Sequence, residues 1–480
     1  MRMKKALGLD EFVKEVKRGN VSVVEHTEKI IEEAEKSNPR LHCFNVIAKD
    51  LALKQARETE VEIKTGRHRG RLLGVPISVK DCICVKGVES RAGSKILSGY
   101  VPLFDATVVE KARAEGAIIM GKTAQDEFGF GTFSNNVGIG FEKPCNPLDV
   151  KRSCGGSSGG SAGFTAFTGL AHASIGQSTG GSIACPASFC GVIGITPTYG
   201  KVSRFGLIDY ANSLDKIGSI GKTVEDAALL LEVIAGYDAH DSTSLPNERE
   251  DYSKIGAAEK LRIGIVKEFF SDCDKAVQKE CNAAIEKMQK QGAKVEEISL
   301  PLNAKYGIAA YYLISTAEAS TNLAKYCGMR YGLHAELAGN FNEYFSKVRS
   351  SGFGEEAKRR ILLGTFARMA GFRDAYYLRA MKARTKLIQE FKQAFKKVDV
   401  LANPTMPIIA PTFEEISKLS PLQQYAMDLC TVPANLAGMP HISVPVGEQG
   451  NMPVGLMLTA DHLQERKMIE AALALEAVCG

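Results

Sequence analysis

The sequence predicts a single large α/β domain, and three observations carry that reading. Helix-like and strand-like segments alternate along most of the chain, as they do in α/β folds. The 480 residues are 45% hydrophobic, enough to bury a large core. No internal repeat, low-complexity tract or composition shift marks a boundary. The domain is therefore expected to run over 1–480, with a mainly helical subdomain within it at 308–398.

Taken in order, residues 8–38 hold two amphipathic helices, with apolar residues of "LDEFVKEV" and "VVEHTEKIIEEAE" at helical spacing. "GRLLGVPISVKDCICVKG" reads as a buried strand and a turn. "ATVVEKARAEGAIIMGKTAQDEF" reads as a helix, a glycine stop and the strand "AIIMGKT". "TAFTGLAHASIG" is a helix running into a strand, and "GVIGITPTYG" a strand with a Pro/Gly turn. "TVEDAALLLEVIAG" is a helix that Thr223 can cap, with Asp226 three residues on and Gly236 at its end. "KLRIGIVKEFF" and "GAKVEEISLP" are strands flanking the helix "VQKECNAAIEKMQKQ". After the helical stretch, "VDVLANPT", "HISVPVG" and "VGLMLTA" are late strands, and the chain closes in a helix.

Composition narrows the class. The net charge of +5 neither demands nor excludes a nucleic-acid partner. No apolar run approaches a membrane span, and the charged start "MRMKKALGLDEFVKEVKRGN" has no signal-peptide core. The twelve cysteines are scattered, often within apolar runs. Cys82-x-Cys84 is too tight for a zinc knuckle and no CxxC pair exists, so they read as buried free thiols of a cytoplasmic protein. No metal site is expected.

Four short motifs need weighing. Gly116–Thr123 fits the phosphate-binding pattern G-x-x-x-x-G-K-[ST], but its middle residues are apolar or small and read as the strand itself. Gly155-Gly156-Ser157-Ser158-Gly159 fits the nucleophile elbow G-x-S-x-G, yet the preceding "NPLDVKRSC" is a poor strand and no histidine is marked as a partner. Thr179-Gly180-Gly181-Ser182 can turn successive backbone amides toward one point and so build an anion nest beside its own serine. Lys80 ends an apolar strand. Burial there would favour the neutral amine, which can act as a base where no histidine serves.

Lysine, then "GGSSGGSAG", then "TGGSI", in that order, resembles the amidase signature family. The likeness runs from "LLGVPISVKD" through "NPLDVKRSCGGSSGGSAG", "STGGSIACPASFCGVIGITPTYG" and "FGLIDYANSLDKIG" to "MPVGLMLTA". It implies one α/β domain with a mixed central sheet covered by helices, and amide hydrolysis by a Ser–Ser–Lys triad. By that resemblance Ser182 is the nucleophile, Ser157 the bridging serine behind a cis peptide, and Lys80 the base. Amides of Thr179, Gly180, Gly181 and Ser182 would line the oxyanion hole. Two departures stand out. The Ser157–Ser182 spacing is one residue longer than the family pattern, which points to a longer intervening helix and leaves Ser158 as an alternative relay. An arginine common after "TGGSI" is here Ala184.

Within the family, "YYLISTAEASTNLAKYCGMRYG", "FGEEAKRRILLGTFARMAGFRDAYYLRA", "YAMDLCTVPANLAGMPHISVPVG" and "ANPTMP" resemble the A subunits of aspartyl/glutamyl-tRNA amidotransferases. That likeness implies glutamine hydrolysis, with ammonia passed to a B subunit that binds the misacylated tRNA and uses ATP and magnesium. A small C subunit would brace the pair. It also implies no cofactor in this chain, and a substrate zwitterion read by Arg360 and Asp428 under Tyr312, with Arg359 the alternative should the helical register differ. The basic helices of 358–397, rich in Lys and Arg, could touch tRNA, but read first as solvated faces, since the resemblance gives most tRNA contacts to the B subunit. A free-standing amidase and a non-catalytic scaffold are the other readings; retention of Lys80, Ser157 and Ser182 argues against the scaffold.

Overall fold

The computed structural model describes residues 7–66, 70–246, 250–252, 254–258 and 260–479. One eleven-stranded sheet runs through them in the order β1-β3-β2-β4-β6-β5-β10-β11-β9-β7-β8. The strands are β1 (Phe44–Ile47), β2 (Pro76–Lys80), β3 (Ile118–Thr123), β4 (Ala173–Ser178), β5 (Ile193–Thr196), β6 (Lys216–Gly221), β7 (Arg262–Val266), β8 (Lys294–Ile298), β9 (Val400–Pro404), β10 (His441–Gln449) and β11 (Met452–Thr459). β2 lies parallel to both β3 and β4, and β7 parallel to β8 and β9. The remaining pairings are antiparallel, so the sheet is mixed. Strands β2 to β6 are buried along their whole length, as expected where helices cover both faces.

Most elements fall where the sequence places them. The opening helices are Leu9–Lys17 and Val23–Leu41, and the Thr223 hydroxyl accepts the Asp226 N–H at 3.1 Å to start the helix Val224–Ile234. The Gly116–Thr123 motif is the approach to β3 and the strand itself. Its Lys122 is buried and donates to the carbonyls of Asp81 and Ile83 and to Ser90 Oγ, leaving nothing for a phosphate. Several elements go beyond the sequence reading: β1, β6 and the helices Lys49–Lys64, Ala184–Cys190, Phe413–Ser417, Pro421–Ala426 and Val432–Leu436; Lys267–Ser271, read as the end of a strand, is helical. All twelve cysteines are free thiols. Among the described residues no helix is long and apolar enough to cross a membrane.

The helical stretch comprises Pro301–Asn322, Phe341–Gly352, Glu355–Arg368 and Arg379–Ala394. The first packs on the third and fourth. Its crossing with Glu355–Arg368 is backbone to backbone: a Cβ on Gly364 would lie 1.8 Å from the Thr316 carbonyl oxygen. Only glycine permits that approach. Gly364→Val should separate the two helices and destabilise the fold by about 1–3 kcal/mol. Urea unfolding with an unchanged m-value checks this; an unaltered midpoint would contradict the contact.

Candidate active site

Parallel strands aim their C-terminal ends the same way, and in open α/β sheets ligands gather beyond those ends. Here β2, β3 and β4 deliver Lys80, the turn carrying Asp126, and the Thr179–Ser182 turn to one edge. β6 runs antiparallel to β4 with Lys216 opposite Ser178, so Asp215 enters from the same side. The sheet thus assembles four polar segments that are far apart in sequence.

Lys80 is fully buried. Its Nζ lies 2.7 Å from Ser157 Oγ, 2.8 Å from the Gln177 carbonyl oxygen and 3.0 Å from Gln177 Oε1. Burial pulls the amine down from 10.5 to about 8, while Cys82, Asp126 and Asp215 act to hold it up. No carboxylate touches it within ion-pair distance among the described residues, so desolvation of the ammonium form wins. Asp126 is itself buried, accepts the amides of Ser134 and Asn136, and is pushed up by burial to about 6.

The Gly/Ser stretch is a packed scaffold rather than a tether. Residues 154–165 are buried, and the helix Gly159–Phe167 begins inside the stretch. The Gly156–Ser157 peptide is cis. Ser157 Oγ meets Lys80, whereas Ser158 Oγ donates to the Gln177 carbonyl and the Ser158 N–H donates to the Ser182 carbonyl at 3.1 Å. Lys80 therefore touches Ser157 and not Ser158, despite the longer spacing. The extra length is not a long helix: nine residues are helical, and 168–172 lead into β4.

Ser182 ends a buried turn in which the amides of Thr179, Gly180, Gly181 and Ser182 have no hydrogen-bond acceptor among the described residues. Buried amides without partners are rare, and a set of four on one turn is the arrangement that can hold an oxyanion. The turn is tight against its neighbours: a Cβ on Gly181 would lie 2.3 Å from Thr431 Oγ1. The Ser182 side chain opens onto a cavity of about 10 Å³ lined also by Gly180, Gly181, Tyr312, Arg360 and Asp428. That is room for about one water molecule.

The three residues assigned to substrate reading meet at this cavity. Arg360 Nε donates to Glu356 Oε1 at 2.8 Å and one terminal N–H to Tyr210 Oη at 2.6 Å, among the rings of Phe130, Tyr210, Tyr312 and Tyr425. Arg359 points outward and pairs with Glu356, so the register places Arg360 inside. Asp428 accepts from Tyr312 Oη at 2.8 Å and Thr132 Oγ1 at 2.9 Å. Burial pushes it up to about 6, against those hydrogen bonds and the charge of Arg360. The Tyr312 and Tyr425 rings stack at 4.1 Å, and Tyr425 Oη donates to Glu356.

Gln177, Asp215, Asp126, Thr132, Glu356 and Tyr425 belong to the site and were not singled out in the sequence. Ala184 packs with Ala434 and Met457. Polar contacts behind the turn come instead from Ser178 Oγ to Asn435 Oδ1 at 3.3 Å, Asn435 to His441 at 3.3 Å, and buried Lys216 Nζ to the Met439 carbonyl at 2.8 Å. No described histidine contacts Ser157 or Ser182; His68 lies outside the described residues. Among the described residues no group of His, Cys, Asp and Glu could hold a metal ion.

Ser182 is the one serine lining the cavity. A small alkyl fluorophosphonate should form a single adduct, mapped by peptide mass spectrometry to Ser182. An adduct on Ser157, Ser158 or a cysteine would contradict the geometry.

Residues 25–469 match the family model described as Amidase. The chain is 46% identical over 464 residues to the A subunit of the glutamyl-tRNA(Gln) amidotransferase of Nostoc sp., covering 95% of this chain and 94% of that one. It is 45% identical over 474 residues to the corresponding subunit of Carboxydothermus hydrogenoformans, covering 98% and 96%. Among solved structures, the A subunit of the glutamyl-tRNA(Gln) amidotransferase of Thermotoga maritima superposes with a TM-score of 0.77 at 34% identity, covering 95% and 91%. The peptide amidase of Stenotrophomonas maltophilia gives 0.79 at 28% identity, covering 98% and 96%. The chain therefore belongs to the amidase family, in the branch formed by the A subunits of glutamyl-tRNA(Gln) amidotransferases.

Proposed function

We propose that this chain is the glutaminase of a tRNA-dependent amidotransferase. The observation that carries the reading is the contact of Lys80 Nζ with Ser157 Oγ at 2.7 Å beside a cavity that joins Ser182 to Arg360 and Asp428. In the proposed reaction neutral Lys80 takes the Ser157 proton while Ser157 takes that of Ser182. Ser182 Oγ attacks the side-chain amide carbon of glutamine, and the Thr179–Ser182 amides hold the oxyanion. Collapse breaks the C–N bond; the proton returns through Ser157 to the departing nitrogen, which leaves as ammonia. Water then attacks the glutamyl ester by the same relay and releases glutamate.

The charges beside Ser182 suit a free amino acid. Arginine grips a carboxylate with parallel hydrogen bonds, and Asp428 can take the ammonium. Ammonia then passes to a B subunit that amidates Glu-tRNA(Gln) or Asp-tRNA(Asn) with ATP and magnesium, a C subunit completing the heterotrimer in the cytoplasm. This chain does its own chemistry with side chains and needs no cofactor. A free-standing amidase of a small amide would show full turnover alone; the proposed glutaminase depends on its partners, and purification with and without them separates the two.

Three further outcomes follow from the roles. The base must be deprotonated, so kcat/KM for glutamine should fall as pH drops through about 8, the value burial sets for Lys80. Lys80→Arg, which stays charged, should lose about 10²–10⁴-fold in turnover while folding and binding partners normally; steady-state kinetics with circular dichroism checks both. Arg360→Ala or Asp428→Ala should raise the glutamine KM strongly while ammonia-dependent amidation by the assembled complex survives. Variants that use glutamine normally, or lose the ammonia reaction as well, would rule this recognition scheme out.

A further inference from the structure

We infer that Gln177, locked in one orientation by Asp215, is a positioning residue that aims the lone pair of Lys80 at Ser157. The inference deepens the proposed function and rests on Lys80 being the base there. A neutral amine has two N–H groups and one lone pair. Of the three groups around Nζ, two are oxygens of Gln177, the backbone carbonyl at 2.8 Å and Oε1 at 3.0 Å. Both can only accept. They occupy both N–H groups, and the lone pair is left facing the Ser157 hydroxyl at 2.7 Å.

This works only if Gln177 presents oxygen, not nitrogen, to the amine. An amide can sit either way, and its partners decide. Gln177 Nε2 donates to Thr179 Oγ1 at 2.8 Å and to Asp215 Oδ1 at 3.1 Å. The Thr179 hydroxyl, accepting from Gln177, donates its own proton to Asp215 Oδ1 at 2.6 Å. The other oxygen, Oδ2, accepts the amides of Tyr210 at 2.8 Å and Ala211 at 2.9 Å. Four donors converge on one carboxylate, so Asp215 is the acceptor that orients the whole chain of hydrogen bonds. Gln177, Thr179 and Asp215 are all buried, and water does not compete. Burial pushes Asp215 up to about 7, but all four neighbours donate to it and none accepts a carboxyl proton, so the arrangement calls for the carboxylate.

Asparagine at 215 would reverse the polarity. Its oxygen would stay on the two fixed backbone amides, and its NH₂ would face Gln177. The glutamine amide would then flip and offer an N–H to Lys80, which can receive it only on the lone pair. That captures the electron pair Ser157 needs.

The test follows the phosphonylation rate of the full chain by a small alkyl fluorophosphonate from pH 6 to 10, which needs no partner and no glutamine. Gln177→Met keeps length but removes Oε1. Its plateau rate should fall about tenfold, and its acid limb should move down by about one pH unit, because the ammonium form loses a charge-assisted hydrogen bond. Cys82, Asp126 and Asp215, the other groups acting on Lys80, are retained in this variant, and Asp215 keeps its Thr179, Tyr210 and Ala211 donors. Asp215→Asn should fall about 100-fold. Adding Gln177→Met to it should bring the rate back to the level of Gln177→Met alone, since the flipped donor is gone. A wild-type plateau and limb in Gln177→Met, or losses that multiply in the double variant, would overturn the inference. If Asp215→Asn does not fold, Gln177→Met alone decides. Lys80→Met and Ser157→Ala serve as controls: wild-type rates there would overturn the triad reading itself, whereas inactive controls beside an unaffected Gln177→Met overturn only the positioning role.

Discussion

Everything at the site follows from burying one amine. Lys80 ends a strand whose neighbours on both sides are also buried, so its ammonium form has neither water nor a touching carboxylate. A solvated lysine would hold far less of the neutral, basic form near neutral pH than Lys80 does. The fold supplies instead three oxygens for hydrogen bonding and keeps the acidic groups, Asp126 and Asp215, one shell away. That separation leaves the amine at about 8 rather than at its ordinary 10.5.

The mixed topology makes this possible. Three adjacent parallel strands bring three strand ends together, and one antiparallel strand returns Asp215 to the same edge. The buried Gly/Ser stretch then reaches across, the Ser158 amide bonding to the Ser182 carbonyl and so fixing the two serine-bearing segments to each other. The helical layer adds what the sheet cannot: a cation and an anion on either side of the cavity, walled by aromatic rings.

What was legible in the sequence has a physical pattern. Lys80, Ser157 and Ser182 sit in contiguous, glycine-dense words whose composition only a tight backbone needs. Arg360, Asp428 and Tyr312 came from resemblance alone, because single charges on helices carry no local mark. β1 and β6 escaped notice since "FNVI" is short and "KIGSIG" breaks its apolar run with glycines and a lysine. Gln177 and Asp215 are 38 residues apart and have no spacing signature; only the antiparallel pairing of β4 with β6 makes them partners. Ala184 showed that a contact was missing, and the Ser178–Asn435–His441 chain that stands in its place draws on residues from the far end of the sequence.

The Gly364 crossing has a mechanical consequence. Thr316 and Gly364 lie one helical turn beyond Tyr312 and Arg360, and their backbones touch. Two helices welded at that point cannot slide, so the phenol and the guanidinium travel as one body. Tyr425 joins the same body: it rides on the short helix Pro421–Ala426, yet its ring stacks on Tyr312 at 4.1 Å and its hydroxyl donates to Glu356, the partner of Arg360. The gripping side of the chamber of about 10 Å³ therefore holds its shape by ring stacking as well as by the helix crossing.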